Sequence, residues 1–409
     1  MQLRRRLIGV LALLCVLAMP GTVAATPGIT AVGTVDRFPQ EATERLGPSF
    51  TGDGFLTRFS GGTLLPVPGA GQLWQVYPED SGRRTGVLVR DASSRQVIGS
   101  FVIDTELRRA TVHASGGGEW LHVTDGGHRV FVLGYPSRLL EIDASTFTLR
   151  DHGRLTALPV EAPFQDPLLP ASLTYDASTG GLLVLYGGIA ASVANRLTVV
   201  QHVDLATGAR RSRIVRACTG PLPGTDFSSS TAAPEVLLRP DAVYVTCQTT
   251  GLSLLPGGAR GLVVRLPRAG LFERDGEESS VPAGGLVDTA LVDPHSGRIL
   301  VVGYFGEVTV VDAGAMSVVG TFRPAVGAEP RIGPGLDRRR GRFYFQSDLG
   351  FGYVDIRSTP LSVPVGDSSA ADDGQERIVP DGSRVYVLPG TAYPGDSKAA
   401  RYTIYSVAP

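Results

Sequence analysis

Lysine occurs once, at Lys398, so arginine supplies nearly all of the 38 basic residues. That skew marks coding bias and carries no chemistry. Neither sign of charge is in excess: 38 basic residues against 39 acidic ones give a net charge of −1. Taking Arg4, Arg5 and Arg6 away with a leader leaves 35 against 39, or −4. A chain this close to neutral lacks the basic footprint that nucleic acid or anionic lipid requires, so neither is expected as a partner. Apolar runs long enough to cross a bilayer are missing beyond the N-terminus, so no transmembrane anchor is expected. Helical periodicity is missing as well. Cysteine is scarce, with three residues and no Cys-x-x-Cys pair, which argues against a thiolate metal cage or a dithiol redox centre. Gly-x-Ser-x-Gly, His-Glu-x-x-His, a Walker P-loop and a strand–GxGxxG–helix fingerprint are all absent. What remains is 43% hydrophobic residues with 52 glycines and 29 prolines. That mixture can bury a sizeable core and turn often, which excludes wholesale disorder and collagen-like structure.

Residues 1–25 read as a secretory leader. Arg4-Arg5-Arg6 supply the charged start, Leu7 to Ala18 the apolar stretch, and Val23-Ala24-Ala25 the small residues before a cut. Cys15 sits inside the apolar stretch behind Leu14, which does not suit a lipid anchor. Leu3 stands where a twin-arginine signal carries Ser or Thr, so ordinary Sec export to an extracytoplasmic, oxidising space is expected. Cys218 and Cys247 then remain, and two cysteines in an exported chain most simply pair as a structural disulfide.

A repeat organises the rest. An apolar strand, an Asp/Gly/Pro turn, a β-rich strand, a loop, a strand ending in Asp and a further strand recur along the chain. Second strands begin near Leu73, Val130, Leu182, Val243, Ile299, Phe343 and Val385, at separations of 42 to 61 residues. The turns before them read alike, as in Asp176-Ala-Ser-Thr-Gly180, Asp293-Pro-His-Ser-Gly297 and Asp337-Arg-Arg-Arg-Gly341. Asp supplies a side-chain acceptor and Gly the positive φ that tight hairpins need. Asp91, Asp143, Asp204, Asp312 and Asp355 end the third strands, where Asx-type capping is expected.

Seven four-stranded units with two apolar faces each can hide those faces by stacking around an axis, so an all-β, seven-bladed β-propeller is predicted over residues 26–409. The last unit stops after a third strand at Arg401 to Val407. Ala31-Val-Gly-Thr-Val35 resembles the fourth strand Val318-Val-Gly-Thr-Phe322, so residues 29–35 are expected to pair with 401–407 and complete the last blade. Asp293-Pro-His-Ser-Gly-Arg-Ile-Leu-Val301 and Asp241-Ala-Val-Tyr-Val-Thr246 resemble the units of YVTN-type seven-bladed propellers in the quinoprotein amine dehydrogenase-like superfamily, although Cys247 stands where that family has Asn. The resemblance implies architecture and little chemistry.

Loops joining fourth to first strands and second to third strands share one end of a propeller. In this chain they are long and rich in Gly, Pro and Ser, so that end is the expected ligand- or protein-binding surface for an extracellular partner. His113 and His152 fall in such loops (102–119 and 150–171) and are the catalytic candidates. Asp166, Asp226, Glu277, Asp372 and Asp373 are the candidate ligand-binding carboxylates, suited to a hard cation or to acid–base work. His128 and His295 read as turn residues, His122 and His202 as strand packing. The leading expectation is a binding module. The alternative is a propeller enzyme, a lyase or dehydrogenase type, with a site assembled from several blades at the channel mouth and served by a divalent metal or a quinone-type partner. No particular cofactor is implied.

Overall fold

The computed structural model describes residues 29–33, 40–45, 63–79, 84–104, 121–123, 128–134, 137–155, 170–189, 195–221, 235–248, 261–273, 276–285, 287–303, 307–322, 332–333, 335–347, 350–358, 361–365, 376–381, 383–388 and 401–406. The leader with Cys15 and the residues His113, Asp166, Asp226, Asp372 and Asp373 lie outside them.

Antiparallel four-stranded sheets follow one another along the chain. The first blade comprises Thr63–Val67, Gln72–Glu79, Arg84–Asp91 and Val97–Ile103, paired in that order. The second runs from Leu121–Val123 through Arg129–Gly134 and Arg138–Asp143 to Thr148–Arg154. The third holds Pro170–Asp176, Gly181–Ile189, Asn195–Asp204 and Arg210–Ile214, with Gly220–Pro221 added beside Asn195 and Arg196. The fourth has Val236–Leu238, Ala242–Gln248, Gly261–Pro267 and Ser279–Pro282. The fifth has Val287–Val292, Arg298–Gly303, Val308–Asp312 and Ser317–Phe322. The terminal blade is built from Glu376–Asp381, Arg384–Leu388 and Arg401–Ser406, with Gln40–Arg45 outermost.

This all-β propeller of four-stranded blades therefore shows six complete blades, not the seven expected. The unit predicted around Phe343 forms a three-stranded sheet, Gly335–Asp337, Arg342–Ser347 and Gly350–Asp355. The strand that would complete it, Leu361–Val365, pairs instead with Ile29–Gly33, in parallel from Ile29 opposite Leu361 to Gly33 opposite Val365. The expected pairing of 29–35 with 401–407 is corrected by the same finding. Gln40–Arg45 takes that place, antiparallel to Arg401–Ser406, with Arg45 opposite Arg401 and Gln40 opposite Tyr405. The physical reason is legible in the two segments. Gln-Glu-Ala-Thr-Glu-Arg carries charge on a free edge, which discourages further pairing, whereas Ile-Thr-Ala-Val-Gly does not.

The core is a succession of apolar layers between neighbouring sheets. Leu182, Val184 and Tyr186 pack toward the second blade, while Leu183 and Leu185 of the same strand pack toward the fourth. A strand apolar on both faces needs cover on both faces. The same logic joins the first blade to the second around Trp74 and the fourth to the fifth around Tyr244. Leu300 and Val302 meet Phe343 and Val354 of the three-stranded sheet. Leu64 and Leu73 of the first blade meet Val379, Tyr386 and Ile404 of the terminal blade. The third residue of the second strand is a fully buried aromatic at Trp74, Phe131, Tyr244, Tyr344 and Tyr386.

Candidate functional site

Strand direction assigns the two ends of the blades different roles. Turns between first and second strands and between third and fourth strands share one end, and that end is tied down by hydrogen bonds. Asp91 Oδ1 accepts the backbone N–H groups of Ser93 (3.1 Å) and Ser94 (2.7 Å). Asp143 does the same for Ser145 (2.9 Å) and Thr146 (3.0 Å), and Asp204 for Ala206 (2.9 Å) and Thr207 (2.8 Å). Asp312 accepts from Ala315 at 2.8 Å and Asp355 from Arg357 at 2.9 Å. The predicted Asx caps are therefore present at all five positions. Hydroxyl and backbone donors from Ser93 and Ser94 hold the Asp91 carboxyl down at about 2.

The residue after each of these aspartates binds two blades together, a role the sequence reading missed. Its N–H stays within its own unit: Ala92 donates to Gly71 (2.9 Å), Ala313 to Gly297 (3.1 Å) and Ile356 to Gly341 (2.9 Å). Its carbonyl accepts from the preceding unit. Gln72 Nε2 reaches Ala144 O at 3.0 Å, Tyr244 Oη reaches Ala313 O at 3.0 Å, and Arg384 Nη1 reaches Ala92 O at 3.1 Å. Arg150 and Arg298 supply the same bond to Leu205 and Ile356. The readable signal is a small or apolar residue directly behind the strand-ending Asp.

Two further ion pairs cross between units at this end. Arg268 of the fourth blade bonds Asp176 of the third, and Arg357 bonds Asp293 of the fifth blade at 3.1 and 2.9 Å. Burial alone would raise the Asp293 carboxyl. The Arg357 guanidinium and Ser296 outweigh it and hold the group at about 2. Gly297 in this turn has φ +71°, so the backbone conformation favours glycine there, while a Cβ would only push the Arg239 guanidinium aside.

The opposite end carries the long connections and the inner-strand starts; the disulfide and a group of buried polar residues sit there, and an ion-pair clasp lies on the outer rim between the two ends. The disulfide joins Cys218 to Cys247 with S–S 2.01 Å and Cα–Cα 5.8 Å, as expected from the cysteine count. It ties the turn after the third blade's outer strand to the second strand of the fourth blade. Beside it, Glu278 Oε1 accepts from Arg213 Nη2 at 3.1 Å and from the Arg216 N–H at 3.1 Å, and Oε2 from the Ala217 N–H at 3.0 Å. Arg213 also donates to the carbonyl of Leu271 at 3.2 Å, and the pair's side chains are 4% and 8% exposed. Nearer the axis, buried polar groups link three innermost strands. Ser172 Oγ accepts the Val236 N–H at 2.9 Å, Thr246 Oγ1 the Glu235 N–H at 2.9 Å, and Thr289 Oγ1 donates to Glu235 Oε1 at 3.2 Å. Glu235 was not among the predicted carboxylates. Its signal is an acid placed immediately before an apolar innermost strand, Val236-Leu237-Leu238.

The predicted candidates separate. His152 lies on the outermost strand of the second blade, Thr148–Arg154, and not in a loop. There its Nε2 hydrogen-bonds Glu141 Oε2 at 2.8 Å. Glu141 also takes Arg129 Nη1 at 3.3 Å, and Arg129 in turn bonds Tyr175 of the third blade. The strand runs on to Arg154, into the start of the expected loop, because Asp143-Ala-Ser-Thr-Phe147 turns tightly enough to lead straight into it. Glu277 is exposed, but it lies in the connection between the third and fourth strands of its blade and not at the long-loop end, because Ser279–Pro282 forms the outer strand where a loop was expected; its carbonyl accepts from Arg213 at 3.2 Å. His128 and His295 are exposed turn residues, as expected. His202 is buried at 5% exposure and its Nε2 lies 3.0 Å from Thr179 Oγ1. Burial, with Arg211 nearby, lowers its pKa and keeps it neutral. Among the described residues no three His, Cys, Asp or Glu side chains converge as a metal cage, and no helix is long and apolar enough to cross a membrane.

No family model matches the chain, and no curated protein matches it either. Solved structures do. U3-55K is similar over 90% of this chain and 100% of its own, at 10% identity and a TM-score of 0.52. The Dos1 propeller is similar over 85% of this chain and 78% of its own, at 15% identity and a TM-score of 0.50. BamB from Moraxella catarrhalis is matched over 90% of this chain and 100% of its own, at 12% identity and a TM-score of 0.44. At these identities the likeness concerns the propeller fold.

Proposed function

We propose that the chain is an extracytoplasmic propeller scaffold that binds another macromolecule through its long-loop end. The observation that carries the reading is the inequality of the two ends. One is spent on Asx caps, inter-blade carbonyl bonds and the Asp176–Arg268 and Asp293–Arg357 pairs. The other is anchored by the disulfide and by the Ser172, Glu235 and Thr289 hydrogen bonds, and the long Gly-, Pro- and Ser-rich segments such as 222–234 and 249–260 leave from it. Rigid anchorage beneath long connections is what a binding surface needs. Export supplies the oxidising setting for the disulfide.

The same reading makes the ring seven units, with the 335–355 sheet as the incomplete one. Support comes from the apolar layer between the terminal and first blades and from Arg384 reaching Ala92 and Ser93 across it.

Replacing 222–234 and 249–260 with Gly/Ser segments of equal length tests the surface. The expected result is loss of the partners recovered by crosslinking at the native location, with the thermal midpoint within about 2 °C of the parent. Retention of the same partners by the doubly replaced chain overturns the assignment.

A further inference from the structure

We propose that the outer strand of the first blade, Val97–Ile103, is a homodimer edge that pairs antiparallel with the same strand of a second copy. Among the described residues six large apolar side chains stand exposed, and five occupy one place: Val97 at 50%, Ile98 at 53% and Val102 at 44% on this strand, and Phe147 and Leu149 on the adjoining second blade. Phe101 bridges the two groups, its ring 5.3 Å from Trp74 and 5.8 Å from Phe147.

The strand reads Val-Ile-Gly-Ser-Phe-Val-Ile and carries no charge. Its one irregularity is a β-bulge at Ile98, where the register against Arg84–Asp91 shifts, whereas outer strands elsewhere are guarded by charge, proline or cover. Thr148–Arg154 holds two arginines, an aspartate and a histidine, Arg210–Ile214 three arginines, and Gln40–Arg45 two glutamates and an arginine. Ser279–Pro282 is short and ends in proline. Ser317–Phe322 is also uncharged, but Ile29–Gly33 lies against it. Free edges normally carry charge, proline or cover, because an uncharged apolar edge recruits another strand.

The sequence of the edge identifies that strand as its own copy. Antiparallel pairing about Ser100 sets Ile98 opposite Val102 twice, and β-branched cross-strand pairs are favourable. It sets Gly99 opposite Phe101 twice, so each ring meets a residue with no side chain to displace it. Gln96 falls opposite Asp104 at both ends, an amide donor facing a carboxylate acceptor, and both are exposed. No like charges meet anywhere in the register. A two-fold axis through Ser100 uses one patch on both copies, which closes the assembly at two. The two four-stranded blades become one eight-stranded sheet.

Sedimentation of the exported chain tests the pairing. At about 100 µM the parent is expected to be dimeric, and Val102→Lys to raise the dissociation constant about tenfold or more while the thermal midpoint holds. Directly opposed antiparallel residues have Cα atoms about 4.5–5.5 Å apart, within disulfide reach. Ser100→Cys should therefore form a covalent dimer under mild oxidation well above the parent, and Ser280→Cys, exposed on the fourth blade's outer strand, should not. A monomeric parent, a Val102→Lys dimer of parental affinity, or equal crosslinking at residues 100 and 280 overturns the proposal. So does capture of an apolar strand peptide by a chain that stays monomeric.

Discussion

Four residues in equivalent turns adopt the left-handed conformation, each four positions after a strand-ending aspartate: Arg95 (φ 63°), Phe147 (φ 55°), Gly208 (φ 73°) and Met316 (φ 49°). The turn geometry demands that conformation whatever the side chain, and the Asp caps hold it. Gly208 meets it without strain, and a Cβ there has nothing within 4 Å. Gly208→Ala should therefore cost about 1 kcal/mol through backbone conformation alone, read as a lower denaturant midpoint with unchanged slope. An unchanged midpoint would mean that the turn relaxes around the new side chain. The capped aspartates also set an acid limit. Asp91 and Asp293 sit at about 2 in the folded chain, below the ordinary carboxylate value near 3.8. A depressed folded value stabilises above the unfolded one, and that contribution is lost as pH falls. The thermal midpoint should thus drop between about pH 4 and pH 2. Asp293→Asn should flatten the drop, with Asp293 accounting for at most about 2 kcal/mol. A parent midpoint that is level across that window contradicts the assignment.

At the scale of elements, the rim between the third and fourth blades is held by a buried ion pair and a disulfide side by side. Removing one partner of such a pair strands the other without water. Glu278→Ala, which leaves Arg213 buried, is expected to lower stability by about 3–5 kcal/mol. Replacing both residues with apolar side chains of similar volume should cost much less, and equal losses would show that packing and not charge dominates. Breaking the disulfide, whose cysteines are 29 positions apart, should cost about 3–4 kcal/mol, measured as the stability difference between oxidised and reduced protein. These elements differ in how far the sequence discloses them. Second strands were legible from their apolar runs and turns from Asp and Gly, because both signals are local. Glu278 clasping Arg213 was not, since 65 positions separate them. His152 illustrates the same limit: a charged, irregular outer strand looks like loop until its partner strand is known. In the connection between Gly261–Pro267 and Ser279–Pro282, Glu277 and Glu278 are adjacent in sequence, yet one faces solvent and the side chain of the other is buried, which no periodicity in an irregular segment discloses.

For the whole molecule, apolar alternation on two faces implied stacked blades, and the stacking is present. The number of complete blades and the strand partners near the start of the chain are not legible in the sequence, because the partners lie more than three hundred residues apart and short edge strands such as Ile29–Gly33 and Leu361–Val365 carry no signal of which edge they join. Gln40–Arg45 and Ile29–Gly33 each extend a sheet formed far later in the chain. A chain lacking residues 1–45 should therefore keep its first five blades and expose the edges at Arg401–Ser406 and Leu361–Val365. Light scattering should register aggregation at concentrations where the parent stays dispersed, and a dispersed truncated chain would contradict that role.

Those two pairings also impose an order on assembly. Segments synthesised first must wait, unmatched, until more than three hundred further residues have been made. Whatever releases the chain therefore releases something unfinished until Arg401–Ser406 emerges, and any companion that shields nascent chains has the greatest purchase on the waiting strands Ile29–Gly33 and Gln40–Arg45.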